Sequence, residues 1–348
     1  MNQKIAIRCI ADPLKGYGNF NRSVVLAESL RKKDCKIIFI INQNNSIIRE
    51  LQNRKFHFIL IPKLFTYETE PSFLIDFMNL FKCKVIIVDM REYGEKISKS
   101  LMNKNFKIIL LDDAWCKKAY ADFIFNGTII KQYHQYEKIN KNAKLYLGSK
   151  YFLNDIKFQQ YKKKISGIHD KKMYNVVVSI GGSDPDELSL FVVKSIMNIS
   201  NIQIIVVVGP FFKNLIKLRN FVKNKNNMTV VYFPKQIWKI FQKSDIAISN
   251  AGSTLYELAI QKVPTICIAA VKHQIPYAKG FESKGFAVNL GFWKNLKSDI
   301  IEKTLMRILD EPTERKKMWL SGSKIIYGDG LSRTTNLILR ILKTTSNN

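Results

Sequence analysis

The sequence predicts an α/β protein made of two successive doubly wound domains. Strand-like and helical patterns alternate from the first residues, a polar break interrupts them near the middle, and the alternation then starts again. At 348 residues the chain is too long for one ordinary core and long enough for two. Its hydrophobic content of 46% is that of a globular protein.

The first half contains short apolar runs of strand length, separated by helical patterns. Strands are predicted at residues 4–10, 36–41, 56–61, 84–89, 107–111 and 122–126, and helices at 20–32 and 46–53. Continuous apolar strands separated by helices are typical of a parallel sheet that is covered on both faces.

A lysine-rich polar segment at 159–172 predicts an exposed connection between a domain at 1–158 and a domain at 173–348. In the second half, strands are predicted at 174–180, 202–208, 228–232, 245–249 and 265–269, a helix at 185–197, and mainly helices from 299 to 343. We expect the two domains to face a central cleft, with ligands at the carboxyl ends of the strands.

The chain is strongly basic, with 56 Lys and Arg against 28 Asp and Glu. Such a surface attracts nucleotide phosphates, acidic glycans or an anionic membrane face. The basic residues are spread along the whole chain without a nucleic-acid recognition motif, so nucleic acid is not an expected partner. No apolar run approaches the roughly 20 residues that span a bilayer, and the N-terminus lacks a signal-peptide pattern. We therefore predict a cytoplasmic protein, with a peripheral position at the inner membrane face left open.

The five cysteines are scattered and form no CxxC pair, so neither a metal site nor a disulfide is predicted. Cys9, Cys35, Cys83 and Cys267 lie in or beside predicted strands, which indicates buried thiols.

Three glycine-containing loops follow predicted strands and lead into helices. The first contains Gly16 and Gly18, where backbone N–H groups at a helix start favour an anion. The second is Gly181-Gly182-Ser183-Asp184, in which Asp184 is suited to cap the following helix. Each loop has the alternative explanation of a purely structural tight turn, and the argument rests on their shared position.

The third loop is Asn250-Ala251-Gly252-Ser253-Thr254, and Glu257 follows one turn into the next helix. Gly252, Ser253 and Thr254 offer backbone and hydroxyl donors to a phosphate, and Glu257 is suited to accept hydrogen bonds from ribose hydroxyls. The alternative for Glu257 is a solvated helix carboxylate. Together the three loops predict a site for a nucleotide-activated sugar.

These motifs resemble a group that contains the nucleotide-sugar hydrolase of pseudaminic acid synthesis and a spore-coat polysaccharide protein. The group resembles, more distantly, the glucosaminyltransferase that completes the peptidoglycan lipid precursor. The likeness runs through nearly the whole chain and includes Gly16-Tyr17-Gly18 with Arg22, Leu111-Asp112-Asp113, Asn126-Gly127, Leu147 to Tyr151, Gly181 to Pro185, Ser249 to Ala259, Gln274 and Asp329-Gly330. The resemblance implies the GT-B architecture of two Rossmann-like domains, with UDP bound by the C-terminal domain and the sugar or acceptor by the N-terminal domain.

One departure from the family pattern concerns catalysis. The pattern Gly-x-Gly-His places a general base where this chain has Asn19, and an amide cannot accept that proton. The acidic residue expected two places after Arg8 is also absent, and the family's Asp-x-Tyr segment appears only as Asp89-Met90-Arg91-Glu92-Tyr93.

The sequence offers other residues as candidates for the missing base. Asp12 is the first candidate, and Asp112 and Asp113 are the second, with one of that pair expected to cap its loop. His273, beside Gln274, is suited to stabilise the leaving phosphate, although a surface histidine is the equal alternative.

We therefore predict a glycosyltransferase of bacterial surface-glycan assembly that needs no cofactor or metal and uses a UDP- or CMP-sugar as donor. It would cleave the sugar–phosphate bond in the interdomain cleft and transfer the sugar to a glycan or lipid-linked acceptor. Two alternatives remain open: hydrolysis of UDP-2,4-diacetamido-2,4,6-trideoxy-β-L-altropyranose with a substituted base, and an inactive nucleotide-sugar binder.

Overall fold

The computed structural model describes residues 3–10, 18–161, 172–184 and 186–346. The chain forms two compact units. The first comprises Met1–Asp155 and Asp329–Asn348, and the second comprises Ile156–Gly328.

A seven-stranded parallel sheet forms the centre of the first unit. The strands of this unit are β1 (Lys4–Cys9), β2 (Lys36–Ile41), β3 (His57–Leu60), β4 (Val85–Asp89), β5 (Lys107–Asp112), β6 (Lys118–Ala119), β7 (Phe123–Asn126), β8 (Glu137–Lys138) and β9 (Lys144–Leu147). The sheet order is β3-β2-β1-β4-β5-β7-β9, and β6 pairs with β8. Consecutive residues from Val85 to Val88 have no exposed surface, so β4 is covered on both faces.

A six-stranded parallel sheet forms the centre of the second unit. Its strands are β10 (Tyr174–Ser179), β11 (Ile202–Val208), β12 (Met228–Tyr232), β13 (Ile246–Asn250), β14 (Thr265–Ala269) and β15 (Ala287–Phe292). The order is β12-β11-β10-β13-β14-β15. The direction of winding changes between β1 and β4 in the first sheet and between β10 and β13 in the second, and ligands bind at such switch points.

Helices lie between most strands of both sheets, and three further helices follow the last strand. In chain order they are α1 (Gly18–Arg31), α2 (Asn45–Asn53), α3 (Glu70–Leu80), α4 (Gly94–Leu101), α5 (Ile156–Gln160), α6 (Leu188–Ile196), α7 (Leu215–Val222), α8 (Ile237–Lys243), α9 (Ser253–Gln261), α10 (Ile275–Ser283), α11 (Ser298–Asp310), α12 (Pro312–Ile325) and α13 (Gly330–Ser346). In the first unit, Leu74 and Phe77 of α3 and Ile97 of α4 pack in one core cluster with Ile86 and Val88 of β4.

The predicted fold class, two doubly wound parallel-sheet units with helices, is confirmed. Strands β9 and β15 and helix α3 were not among the predicted elements. The helix predicted at 185–197 begins only at Leu188, because Asp184 and Glu187 have positive φ angles of 44° and 55°, which a right-handed helix does not contain.

Helix α13 is part of the first unit, whereas the sequence pattern predicted one domain over residues 173–348. Thr335 Oγ1 on α13 lies 2.8 Å from Ser29 Oγ on α1, and Gln3 Nε2 donates to the carbonyl of Leu342 at 3.1 Å. These contacts join the two ends of the chain, and a pattern of local helices cannot show which sheet the last helix covers.

Two glycines of the family motifs meet at one backbone position of the first unit. A Cβ added to Gly127 would lie 2.5 Å from Cα of Phe152, and one added to Gly330 would lie 2.3 Å from the Phe152 carbonyl oxygen. Both distances are too short for any side chain. These glycines are therefore explained by packing at the start of α13 and not by ligand contact.

All five cysteines are buried and none forms a disulfide. No helix within the described ranges is both long enough and apolar enough to cross a bilayer.

Candidate functional site

The carboxyl ends of β10 and β13 lie side by side at the switch point of the second sheet. Ser179 pairs with Ser249 in the parallel register, and Ser249 Oγ donates to the Ser179 carbonyl at 2.9 Å. The loops that begin at Gly181 and Asn250 therefore leave the sheet next to each other. This is the position at which a doubly wound sheet binds its ligand.

Gly181 and Asn250 are in close contact. Gly181 has a φ of 92°, which L side chains rarely adopt, and a Cβ there would lie 3.0 Å from Nδ2 of Asn250. Gly252 faces the same carboxamide, since its Cβ position is 3.6 Å from both terminal atoms of Asn250 and 3.6 Å from Nε2 of Gln274. The structure thus brings four predicted residues, Gly181, Asn250, Gly252 and Gln274, into one cluster.

Asn250 has an unusual polar environment in this cluster. Its side chain is buried, and its Oδ1 atom has no hydrogen-bond partner among the described residues. A buried acceptor without a partner costs free energy, and a ligand that donates a hydrogen bond would remove that cost. Gln274 is held in place because its Oε1 accepts a hydrogen bond from the Ala270 N–H at 2.9 Å.

Helix α9 begins beside this cluster, and Gly252 is its N-cap residue. No described side chain caps this helix end. Because the first N–H groups of a helix lack intrahelical partners, the backbone at Ser253 and Thr254 is suited to bind an anion. Glu257 is half-buried one turn further along α9.

The Gly182 backbone packs against the loop after β11. A Cβ on Gly209 would lie 2.4 Å from Cα of Gly182, and the Gly182 carbonyl accepts a hydrogen bond from Phe211 N at 3.0 Å. Ser183 is half-buried beside it. Asp184 accepts hydrogen bonds from the N–H groups of Leu188 and Ser189, both at 2.8 Å. Asp184 therefore binds the first N–H groups of α6 as predicted, although the N-cap position of this helix is Glu187. Pro185 lies outside the described residues.

His273 is exposed in the short 3₁₀ helix Lys272–Gln274. Its predicted role at the leaving phosphate stays a prediction, as do the ligand contacts predicted for Ser183, Ser253, Thr254 and Glu257.

In the first unit, Asn19 and Asp89 meet at the switch point between β1 and β4. Asn19 lies in the first turn of α1, and Cys9 at the end of β1 pairs with Asp89 at the end of β4. Asn19 Nδ2 donates to Asp89 Oδ1 at 2.7 Å, and Asn19 Oδ1 accepts from Arg91 Nε at 3.0 Å. Both ends of the amide are engaged, which fixes its orientation.

Arg22 lies on the next part of α1 and is shared by two carboxylates. Its Nε and Nη2 donate to Asp89 at 2.8 and 2.6 Å, and its Nη1 donates to Asp113. Burial by itself lowers the pKa of Arg22, but Asp113 and Asp89 outweigh it and raise this pKa well above its usual value. The guanidinium therefore stays charged.

The neighbouring residues Asp112 and Asp113 have different environments. Asp112 is buried and accepts hydrogen bonds from Trp115 N, Cys116 N and the Tyr136 hydroxyl. Burial raises its pKa, which the hydrogen bond from Tyr136 partly offsets. The side chain of Asp113, in contrast, is 32% exposed. The expectation that one member of the pair caps its loop is met by Asp112.

The sequence does not mark Arg91 as a site residue, since it only forms part of the segment Asp89 to Tyr93 that departs from the family pattern. It adopts a positive φ of 49°, and its guanidinium lies over the Trp115 ring at 5.7 Å from the centroid. A non-glycine residue in this conformation is uncommon and often marks a functional site. Its place two residues after the end of β4 was the signal in the sequence that could have singled it out.

Arg8 has its acidic partner on α3 instead of two residues later in the chain. It is fully buried, and its Nε and Nη2 donate to the two carboxylate oxygens of Glu70 at 2.5 and 3.0 Å. Asn42 Oδ1 accepts a further hydrogen bond at 2.8 Å. Glu70 therefore supplies the negative charge that the family pattern places two residues after Arg8, where this chain has Ile10.

Asp12 and Gly16 lie outside the described residues, and Gly18 is the exposed first residue of α1. Within the described ranges, no group of three or more His, Cys, Asp or Glu side chains is arranged to hold a metal ion.

The chain is similar to one protein family model and to several known proteins. Residues 175–324 match the family described as the glycosyltransferase family 28 C-terminal domain. The spore coat polysaccharide biosynthesis protein SpsG of Bacillus subtilis is 24% identical over 329 residues, which cover 93% of this chain and 94% of that protein.

A second relative is the UDP-2,4-diacetamido-2,4,6-trideoxy-β-L-altropyranose hydrolase of Campylobacter jejuni. It is 24% identical over 292 residues, which cover 82% of this chain and 98% of the hydrolase. The crystal structure of MurG from Acinetobacter baumannii superposes with a TM-score of 0.69, covering 97% of this chain and 99% of that one at 12% identity.

The predicted resemblance and the GT-B fold class are confirmed by these matches. The prediction of a glycosyltransferase-type enzyme is confirmed by the match of residues 175–324 to the family 28 domain. A hydrolase is also among the relatives.

Proposed function

We propose that this chain, whose residues 175–324 match a glycosyltransferase family 28 C-terminal domain, transfers a sugar from a nucleotide-activated donor to an acceptor of a bacterial surface glycan. One observation carries the proposal: Gly181, Asn250, Gly252 and Gln274 converge at the switch point of the second sheet. The bond broken would be the one between the sugar C1 and the phosphate oxygen of the donor.

The second unit is suited to the nucleotide diphosphate. The uncapped start of α9 offers backbone N–H groups, and the glycines let a phosphate approach the main chain. These neutral, fixed donors favour the charge that develops on the departing phosphate. Glu257 would accept hydrogen bonds from the ribose hydroxyls. UDP is the proposed nucleotide, because the substrate of the Campylobacter jejuni hydrolase, which matches 82% of this chain, is a UDP-sugar. CMP is the alternative.

The first unit favours transfer over hydrolysis. The family resemblance places the base that activates water at the position of Asn19, and here that amide is fixed between Asp89 and Arg91. An amide held in this way cannot take a proton from water. A glycan or lipid-linked hydroxyl is therefore the proposed nucleophile.

Hydrolysis is the second candidate. The Campylobacter jejuni hydrolase is matched over 98% of its length, which favours a common substrate. This reaction needs a base other than Asn19, and Asp12 is the candidate from the sequence. A nucleotide-sugar binder without catalytic activity is the third candidate, because Asn19 occupies the position of the expected base.

We also propose that the protein acts in the cytoplasm, at the inner face of the membrane. The net charge of +28 favours an anionic lipid surface, and Leu64 and Leu80 of the first unit are 77% and 78% exposed. Co-sedimentation with phosphatidylglycerol vesicles but not with phosphatidylcholine vesicles is expected, and equal recovery with both would contradict this part.

The reaction is tested with purified protein and a donor panel. The panel contains UDP-N-acetylglucosamine, UDP-2,4-diacetamido-2,4,6-trideoxy-β-L-altropyranose and CMP-activated sugars, each with and without a lipid-linked glycan acceptor. We expect nucleotide release that depends on the acceptor, together with a thermal shift in UDP. Rapid release of free sugar without acceptor would reject transfer and support hydrolysis. A thermal shift without any turnover would leave only the silent binder.

A further inference from the structure

We propose that Asp113 is the general base of the transfer reaction, in the role that the family resemblance gives to a histidine at the position of Asn19. This inference rests on the proposed function and adds the catalytic residue that the sequence left open. It follows from comparing the carboxylates that the structure places at the carboxyl edge of the first sheet.

Asp89 is excluded because its oxygens are saturated. Oδ1 accepts from Asn19 Nδ2 and Arg22 Nη2, and Oδ2 accepts from Arg22 Nε and Ser23 Oγ. The side chain is also fully buried. A carboxylate with four donors and no exposed surface has no lone pair for a substrate proton.

Asp112 and Glu70 are excluded on similar grounds. Asp112 is buried and accepts three hydrogen bonds from its own loop and from Tyr136. Glu70 is 1% exposed and forms a two-pronged ion pair with Arg8. Both carboxylates hold the fold together instead of facing a ligand.

Asp113 differs from all three. Its side chain is 32% exposed, and Oδ1 is bound by Arg22 Nη1. Oδ2 has no hydrogen-bond partner among the described residues. Strand β5, which ends at Asp112, is the neighbour of β4, so Asp113 leaves the sheet at the same edge as Asp89.

Because Arg22 is shared by two carboxylates, protonation of Asp113 does not leave the guanidinium without a counter-ion. Arg22 is 16% exposed and pairs with Asp89 as well as with Asp113. When Asp113 takes up a proton, Arg22 still has the buried Asp89 carboxylate as its counter-ion. The partly buried Arg22 would therefore not be left without a counter-ion, which is the costly outcome when an ion pair loses one charge.

The chemical step is balanced with the groups named. Asp113 Oδ2 takes the proton of the acceptor hydroxyl while the oxygen of that hydroxyl forms a bond to C1 of the donor sugar. The bond between C1 and the phosphate oxygen breaks, and its electron pair stays on the nucleoside diphosphate. Products are the glycosylated acceptor, the nucleoside diphosphate and protonated Asp113.

The test compares Asp113→Asn with Asp76→Asn, a carboxylate that is exposed on α3 of the same unit. The assay is nucleotide release from whichever donor and acceptor of the panel turn over fastest. We expect Asp113→Asn to lower kcat by about 10²- to 10⁴-fold, with an unchanged UDP-induced thermal shift and donor KM. Asp76→Asn should behave as wild type.

Two further variants separate catalysis from folding. Asp113→Ala opens space beside Arg22, so added formate should restore part of its activity, whereas a structural role gives no such rescue. Asp113→Glu keeps the ion pair to Arg22 but moves the carboxylate, so we expect a wild-type Tm and a lowered kcat.

A kcat of Asp113→Asn within about threefold of wild type would overturn the assignment, because general-base catalysis is worth far more. Loss of activity in Asp12→Asn with activity kept in Asp113→Asn would overturn it in favour of Asp12. If the wild type turns over no donor, the proposed function fails and the base assignment fails with it. The two failures are thus distinguishable.

Discussion

Asn19 donates a hydrogen bond of 2.7 Å to Asp89, a carboxylate that is buried at the end of β4 and bound by three further donor groups. The residue at the family's base position is thus a fixed part of a polar network. Its amide is held from the other side by Arg91. This relationship separates the chain from the Gly-x-Gly-His pattern that the family resemblance implies.

Restoring a histidine at this position should restore hydrolysis. In Asn19→His, the imidazole would lie beside Asp89, which favours the orientation of a base. We expect free-sugar release without acceptor to rise by on the order of 10²-fold, measured with the panel's UDP-activated trideoxy sugar. Asn19→Ala is the matched control, since it breaks the same hydrogen bonds without supplying a base. Equal rates in the two variants would count against the proposed role of this position.

Gly181→Ala should weaken nucleotide binding. The φ of 92° costs an L residue about 1–2 kcal/mol, and the new Cβ would press on Asn250 at 3.0 Å. Gly291→Ala is the control, because Gly291 has a φ of 82° in the same unit but open space around its Cβ position. Both variants should lower Tm, and only Gly181→Ala should lose UDP affinity in calorimetry. Equal affinity loss in both would remove Gly181 from the site.

Asn250→Asp should also reduce UDP affinity. The change keeps the shape of the side chain but places a negative charge where the phosphate is expected, and like charges repel strongly at a buried position. A loss of about tenfold corresponds to 1.4 kcal/mol. Asn295→Asp makes the same charge change at an exposed position of this unit and should bind UDP as wild type does. Unchanged binding by Asn250→Asp would place the phosphate elsewhere.

Glu70→Gln should strongly destabilise the first unit. It removes the counter-charge of the buried Arg8, and such a loss costs about 3–5 kcal/mol. Urea denaturation followed by circular dichroism measures the change. Glu68→Gln is the control on a neighbouring residue, where the partner Lys96 is exposed and little change is expected. Similar midpoints for both variants would show that the Arg8 pair contributes no more than a surface pair.

Gly330→Ala should destabilise the attachment of α13. The added Cβ would lie 2.3 Å from the Phe152 carbonyl oxygen, so the helix start must shift, at a cost of about 1–3 kcal/mol. Ser332→Ala, two residues later and exposed, should leave Tm unchanged. If Gly330→Ala kept the wild-type Tm, α13 would not be held by this contact.

The sequence by itself determined most strands of the two parallel sheets and the loops that form the candidate site of the second unit. A strand covered on both faces must be apolar throughout, and a main chain that approaches a ligand needs glycine, so both features are visible in local patterns. Gly181, Asn250 and Gly252 were found in this way, whereas Gln274 was singled out by the family resemblance.

Only the tertiary structure decided which polar groups pair with each other. Arg22 joins Asp89 and Asp113, which are 67 and 91 residues away along the chain, and α13 returns to the first unit. Asp112 and Asp113 are adjacent and chemically identical, yet one is buried in its loop and the other faces outward. Hydrogen bonds depend on distance and direction within a few tenths of an ångström. Those quantities are set by the packing of remote segments, which no local pattern contains.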